Sequence, residues 1–143
     1  MQAAYPHMKA AGWGRIVNTA SGAGVIGFKG LGSYNMVKEA IRALTRTAAR
    51  EWAEDGIIVN CYCPFAMAEN PTYWKNGDLP LLRQPSEDFV EQAMGAWAGL
   101  TPAGIDGDPE KDLGPVIEFL LSASCRYLSG HTLMLDGGAY SFA

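Results

Sequence analysis

A hydroxyl, a phenol and an ammonium are spaced for proton chemistry in the first third of this chain. Ser21 closes an apolar run, five glycines follow (Gly22, Gly24, Gly27, Gly30 and Gly32), and Tyr34 then precedes Lys38 by four positions. Four residues make about one helical turn, so Tyr34 and Lys38 leave a helix on the same face. A free phenol, with a pKa of about 10, is a poor acid or base at neutral pH, and an adjacent ammonium favours the phenolate. Such a phenol is suited to general acid/base work, and a nearby serine hydroxyl can hydrogen-bond the same substrate oxygen. The chemistry this predicts is the movement of a proton on and off an alcohol.

These groups need elements to position them. Residues 2–11 have helical composition, with Pro6 implying a kink or a late start and Gly12 a stop. Residues 15–20 read as a short strand. The glycine-rich segment 21–32 reads as a loop whose backbone approaches substrate closely, a wall of the site. A long helix is expected from Ser33 to Glu54, with Val37, Ala40, Ile41, Leu44 and Ala48 as one apolar stripe ended by Asp55 and Gly56. The near-continuous apolar run 57–61 reads as a strand buried on both faces. Strand, helix and strand in this order form a parallel crossover, and open parallel sheets bind ligands outside the carboxyl ends of their strands. Ser21 and Pro64, each just past a strand, are thereby expected on one rim.

Residues 66–106 are irregular, with Pro71, Pro80, Pro85 and Pro102, and read as a lid containing one helix from Ser86 to about Ala98. Its aromatics Tyr73, Trp74, Phe89 and Trp97 favour an apolar or aromatic substrate. Asp108 and Pro109 are a cap and first position for a helix reaching about Ser124, interrupted by Pro115. Residues 132–135 are the last strand and Asp136, Gly137 and Gly138 its turn.

The bulk properties bound the partners. The 143 residues amount to one domain, 48% apolar, with no internal repeat and no linker. A net charge of −4 leaves no basic footprint for nucleic acid, and no apolar run is long enough for a membrane span. Cys61, Cys63 and Cys125 form no metal or disulfide pattern and read as reduced thiols of a cytoplasmic protein. His7 and His131 lack partners for a metal site.

Four segments in order, Gly14-Arg-Ile-Val-Asn-Thr-Ala-Ser21, Tyr34-x-x-x-Lys38, Asn60-Cys-Tyr-Cys-Pro64 and Leu128 to Gly138, give the chain a resemblance to the short-chain dehydrogenase/reductase family. The resemblance implies an α/β chain corresponding to the C-terminal portion of a doubly wound, Rossmann-like parallel sheet. By it, the N-terminal half, with the glycine-rich pyrophosphate loop, is absent. It implies an NAD- or NADP-dependent oxidoreductase interconverting a secondary alcohol and a ketone. Tyr34 would be the acid/base, Lys38 its electrostatic partner and a ribose ligand, and Ser21 the holder of the substrate oxygen. The nicotinamide end would lie against Thr19, Ala20, Tyr34, Lys38, Pro64, Phe65 and Met67. A homodimer or tetramer would form through residues 1–11 and 33–54.

Two positions depart from the family pattern. Phe65 stands where the family has glycine after Pro64, and Ala68 near where it has threonine. Both changes bear on nicotinamide placement. A second reading makes the chain an inactive remnant that serves only for association. A third, a serine hydrolase using Ser21 with Lys38, lacks the Gly-x-Ser-x-Gly elbow.

Overall fold

The computed structural model describes residues 1–66, 101–102 and 107–140. The expected lid at 66–106, its helix at 86–98 and Met67 therefore lie almost wholly outside the described residues. The described elements run α1 (Tyr5–Ala11), β1 (Gly14–Thr19), α2 (Gly22–Ile26), α3 (Gly32–Glu51), a 3-10 turn (Ala53–Asp55), β2 (Ile57–Pro64), a π-helical turn (Pro109–Leu113), α4 (Gly114–Leu121) and β3 (Thr132–Leu135).

The strands form one parallel sheet in the order β1-β2-β3. Gly14 opposes Ile57 at one end, Thr19 opposes Tyr62 at the other, and Cys61 to Pro64 oppose Thr132 to Leu135. Parallel neighbours require crossovers, which the long helix α3 supplies between β1 and β2. Alternate residues of β1 and β2 face α3 and α1: Ile57 and Val59 are buried with Ala48 and Ala49, and Tyr5, Met8, Ile16 and Trp52 pack against them. Full burial of an Ile or Val contributes about 1.5–3 kcal/mol. Arg15, on the opposite face of β1, donates to the Ser122 carbonyl at 3.3 Å, just beyond α4. The sheet is thus covered on both faces, as parallel sheets are.

Local chemistry explains most boundaries. Pro6 lies in the first turn of α1, so the helix starts late, and Gly12 caps it at φ 61°. Tyr5 stacks on Trp52 and donates to Asp55 at 2.8 Å, while Lys9 pairs with Asp55 at 3.2 Å, so α1 is clasped to the end of α3. Asp108 accepts from the Glu110 and Lys111 amides, and Pro115 lies in the first turn of α4, directly after the π-helical turn.

Three expectations need correction. Residues 21–32 are not all loop: Ser21 caps the short helix α2, and Gly27 ends it at φ 67°. β2 continues three residues beyond Cys61 to Pro64, because β3 extends the pairing there. The apolar stripe assigned to α3 mixes two faces. Ile41 and Ala48 turn toward the sheet with Thr45 and Ala49, whereas Val37 and Leu44 are 52% and 54% exposed. The buried face is rotated toward residues the periodicity count left out, since Thr45 hides its hydroxyl by donating to the Ile41 carbonyl and accepting from Asn18.

Asn60, the first residue of the Asn-x-x-x-Pro segment, is fully buried and serves the sheet. Its amide nitrogen donates to the Leu128 carbonyl at 2.7 Å and its oxygen accepts from the His131 amide at 3.1 Å, fixing the loop that delivers β3. Asn60→Ala strands both backbone groups, and stability is expected to fall by about 2 kcal/mol or more. Urea unfolding checks this; an unchanged midpoint would show that the clamp contributes nothing.

Candidate active site at the carboxyl end of the sheet

Ser21 is placed by β1. The Ala20 amide continues the ladder by donating to the Tyr62 carbonyl at 2.8 Å, and Ser21 stays extended before α2 begins. Its Oγ accepts from the Ala23 amide at 3.3 Å, as an N-cap does, which leaves the hydroxyl proton to donate. Asn35 donates to the Phe28 carbonyl at 2.9 Å, tying the turn after α2 to the first turn of α3.

Tyr34 and Lys38 follow one turn apart on α3. The Lys38 ammonium lies 5.6 Å from the centre of the Tyr34 ring and donates to the Thr19 carbonyl at 3.2 Å. One side chain therefore joins α3 to the last residue of β1, two positions before Ser21. Among the described residues, no hydrogen bond links Ser21 directly to Tyr34. Thr19, Ala20, Ser21, Tyr34 and Lys38 gather at the carboxyl end of β1, while Met67 lies outside the described residues.

Pro64 ends β2, and the Phe65 amide donates to the Leu135 carbonyl at 2.8 Å. The Phe65 ring meets Tyr140 edge-on, with centroids 5.6 Å apart. Tyr140 is a residue that sequence reasoning missed. It is 8% exposed, and a side chain on Gly22 would collide with its ring, so the ring abuts the α-carbon next to Ser21. Burial first, then the charges of Asp136 and Tyr34, push its phenol above the usual range. The available signal was a glycine beside the serine, which is too common to point to an aromatic more than a hundred residues away.

Gly22, Gly24 and Gly27 spell Gly-x-Gly-x-x-Gly directly after a strand, the pattern of a pyrophosphate-binding turn. The geometry excludes that role. Helix α2 has five residues, Tyr140 fills the space beside Gly22, and a Glu39 carboxylate oxygen stands 3.0 Å from where a Gly24 side chain would be. A pyrophosphate there would meet an aromatic ring and a negative charge.

A pocket of about 300 Å³ is lined by residues including Phe65, Leu113, Met134 and Asp136. Ser21, Tyr34 and Lys38 are not among its walls, so it is distinct from this group.

A parallel sheet covered by helices on both faces, with hydroxyl, phenol and ammonium at its carboxyl rim, defines a Rossmann-like α/β protein. The profile of a family described as Enoyl-(Acyl carrier protein) reductase matches residues 1–140. The 12alpha-hydroxysteroid dehydrogenase of a Clostridium species is 41% identical over 138 residues, 96% of this chain and 48% of that protein. A diacetyl reductase of Staphylococcus epidermidis is 32% identical over 87% of this chain and 48% of its own length. The crystal structure of a gluconate 5-dehydrogenase from Burkholderia cenocepacia, in complex with NADP and tartrate, superposes with a TM-score of 0.78. It is 30% identical, covering 99% of this chain and 51% of that one. The chain belongs to the short-chain dehydrogenase/reductase family, and it spans about half the length of the curated relatives it matches.

The thiols lie outside the site. Cys61 and Cys63 are fully buried on the α3 side of β2, and Cys125 is buried as well. Burial, with Cys61 adding to it, pushes the Cys63 thiol up to about 11. At pH 8, iodoacetamide is expected to leave all three cysteines unlabelled in the folded protein and to label them in urea. Stoichiometric labelling of folded Cys63, read by mass spectrometry, would contradict this burial.

Proposed function

We propose that this chain carries the proton-transfer side of an NAD- or NADP-dependent alcohol–ketone oxidoreductase site. The observation that carries the reading is Lys38, whose ammonium bridges the Tyr34 ring and the Thr19 carbonyl at the end of β1. Tyr34 takes the proton from an alcohol substrate, or gives it to a ketone. The Lys38 charge stabilises the negative charge left on the Tyr34 oxygen, an interaction worth more once substrate has excluded water. Ser21 donates its hydroxyl proton to the substrate oxygen, with the Ala23 amide holding one of the two acceptor positions of its oxygen. A bound nicotinamide would supply or accept the hydride. Thr19, Ala20, Pro64, Phe65 and Met67 would flank that end of it, and Lys38 would hold the ribose.

In this reading the chain is the C-terminal portion of a doubly wound domain. Among the described residues β1 pairs on one side only, and its open edge is where further strands and the adenosine end of the cofactor would belong. The substrate is a small-molecule secondary alcohol or ketone, apolar or aromatic, a class in keeping with the names of the hydroxysteroid dehydrogenase and diacetyl reductase relatives. Self-association through α3 fits Met36, Val37 and Leu44, large apolar side chains left exposed in the single chain.

Tyr34→Phe removes the proton donor and is expected to lower kcat by about 10²–10⁴-fold. Steady-state oxidation of a secondary alcohol by the active protein measures it. Turnover near the unsubstituted level would exclude Tyr34 from proton transfer.

A further inference from the structure

We infer that Tyr140 is a positioning residue for Ser21, acting through the ring-to-backbone contact with Gly22 that fixes the start of α2. The inference rests on the reading of Ser21 as the donor to the substrate oxygen.

The contact begins at the opposite edge of the sheet, beyond the carboxyl end of β3. Asp136, buried at the end of β3, accepts from the Gly138 amide at 3.0 Å and from the Tyr140 amide at 2.9 Å. With Gly137 and Gly138 both at positive φ, these bonds wind the chain into a tight turn and fix where the Tyr140 ring leaves it. Phe65 supports the ring edge-on from the exit of β2. The ring then occupies the space where any other residue at position 22 would place its β-carbon.

Gly22 is the first residue of α2, and Ser21 is its cap. The hydroxyl is oriented by one bond, from the Ala23 amide, at the long distance of 3.3 Å. A helix of five residues has little stability of its own, so the cap depends on what packs against the first turn. Tyr140 does this from one side, and the Ala20 ladder bond holds the chain entering it. Three rim segments, the exits of β1, β2 and β3, thus meet at one ring. A glycine at position 22 has a structural reason here: it makes room for an aromatic that steadies the neighbouring hydroxyl.

The Ala23 amide reports on the cap directly, because its proton is the one that Ser21 binds. Hydrogen exchange of the purified chain, resolved by residue, is therefore measured for Tyr140→Ala and Tyr140→Phe. Tyr140→Ala is expected to accelerate exchange at Ala23 by about tenfold or more, while Val59 and Cys61 in β2 keep their protection. Tyr140→Phe, which retains the ring, is expected to restore the original rate at Ala23. An unchanged Ala23 rate in Tyr140→Ala overturns the inference. So does equal acceleration at Ala23, Val59 and Cys61, which would mean general loosening, and so does failure of Tyr140→Phe to restore protection. None of these readings requires turnover, so an active Tyr34→Phe variant would defeat the proposed chemistry and leave this result standing.

Discussion

Ala48 and Ala49 let α3 lie close over Ile57 and Val59, and the placement of every candidate group follows from that approach. Three side chains then lock the helix along its length. Thr45 meets Asn18 of β1 at 2.9 Å, Arg42 meets Thr132 of β3 at 3.3 Å while held by Glu39, and Lys38 reaches the Thr19 carbonyl. Each is one turn or less from the next, so the helix can neither slide nor rotate without breaking all three. Tyr34 lies one turn beyond the last of these ties, and its position over the rim is set by them.

The same arrangement explains which parts of the fold could be read from the sequence. The left-handed Gly12 that ends α1 ahead of β1 was legible as a stop, whereas Gly56, read as the end of α3, caps the 3-10 turn that follows it, α3 having already ended at Glu51. The proline interruption at Pro115 was legible for the same reason: it changes backbone geometry locally. Helix α2 was not, because Gly22 to Ile26 is too short for a period and rich in a residue that disfavours helix. The buried face of α3 was misjudged because Thr45 counts as polar until Asn18 and the Ile41 carbonyl are seen to satisfy it. Hydropathy cannot anticipate a partner.

The site divides along the same line. Tyr34 and Lys38 are local, one turn apart, and Ser21 is tied to them by the strand it ends. Their gathering at the end of β1 was therefore foreseeable. Phe65 stands out in the sequence as a departure from a pattern at an expected cofactor position, and its contact with Tyr140 gives that departure a physical setting: the ring has an aromatic partner in a turn that no local signal connects to it. Asn60 shows the converse. A residue belonging to a recognised segment is occupied wholly with backbone, bridging Leu128 and His131.

The parallel order β1-β2-β3 also has a temporal side. Asn18 and Thr45 are 27 residues apart and can meet early, but Cys61 and Thr132 are separated by 71. Such long-range pairing is slow to form and is completed late in synthesis. Gly22 emerges from the ribosome long before Tyr140 does. The segment after β1 is thus made with a vacant space beside its first glycine, and that space stays open until Tyr140 has been synthesised and the turn after β3 has formed.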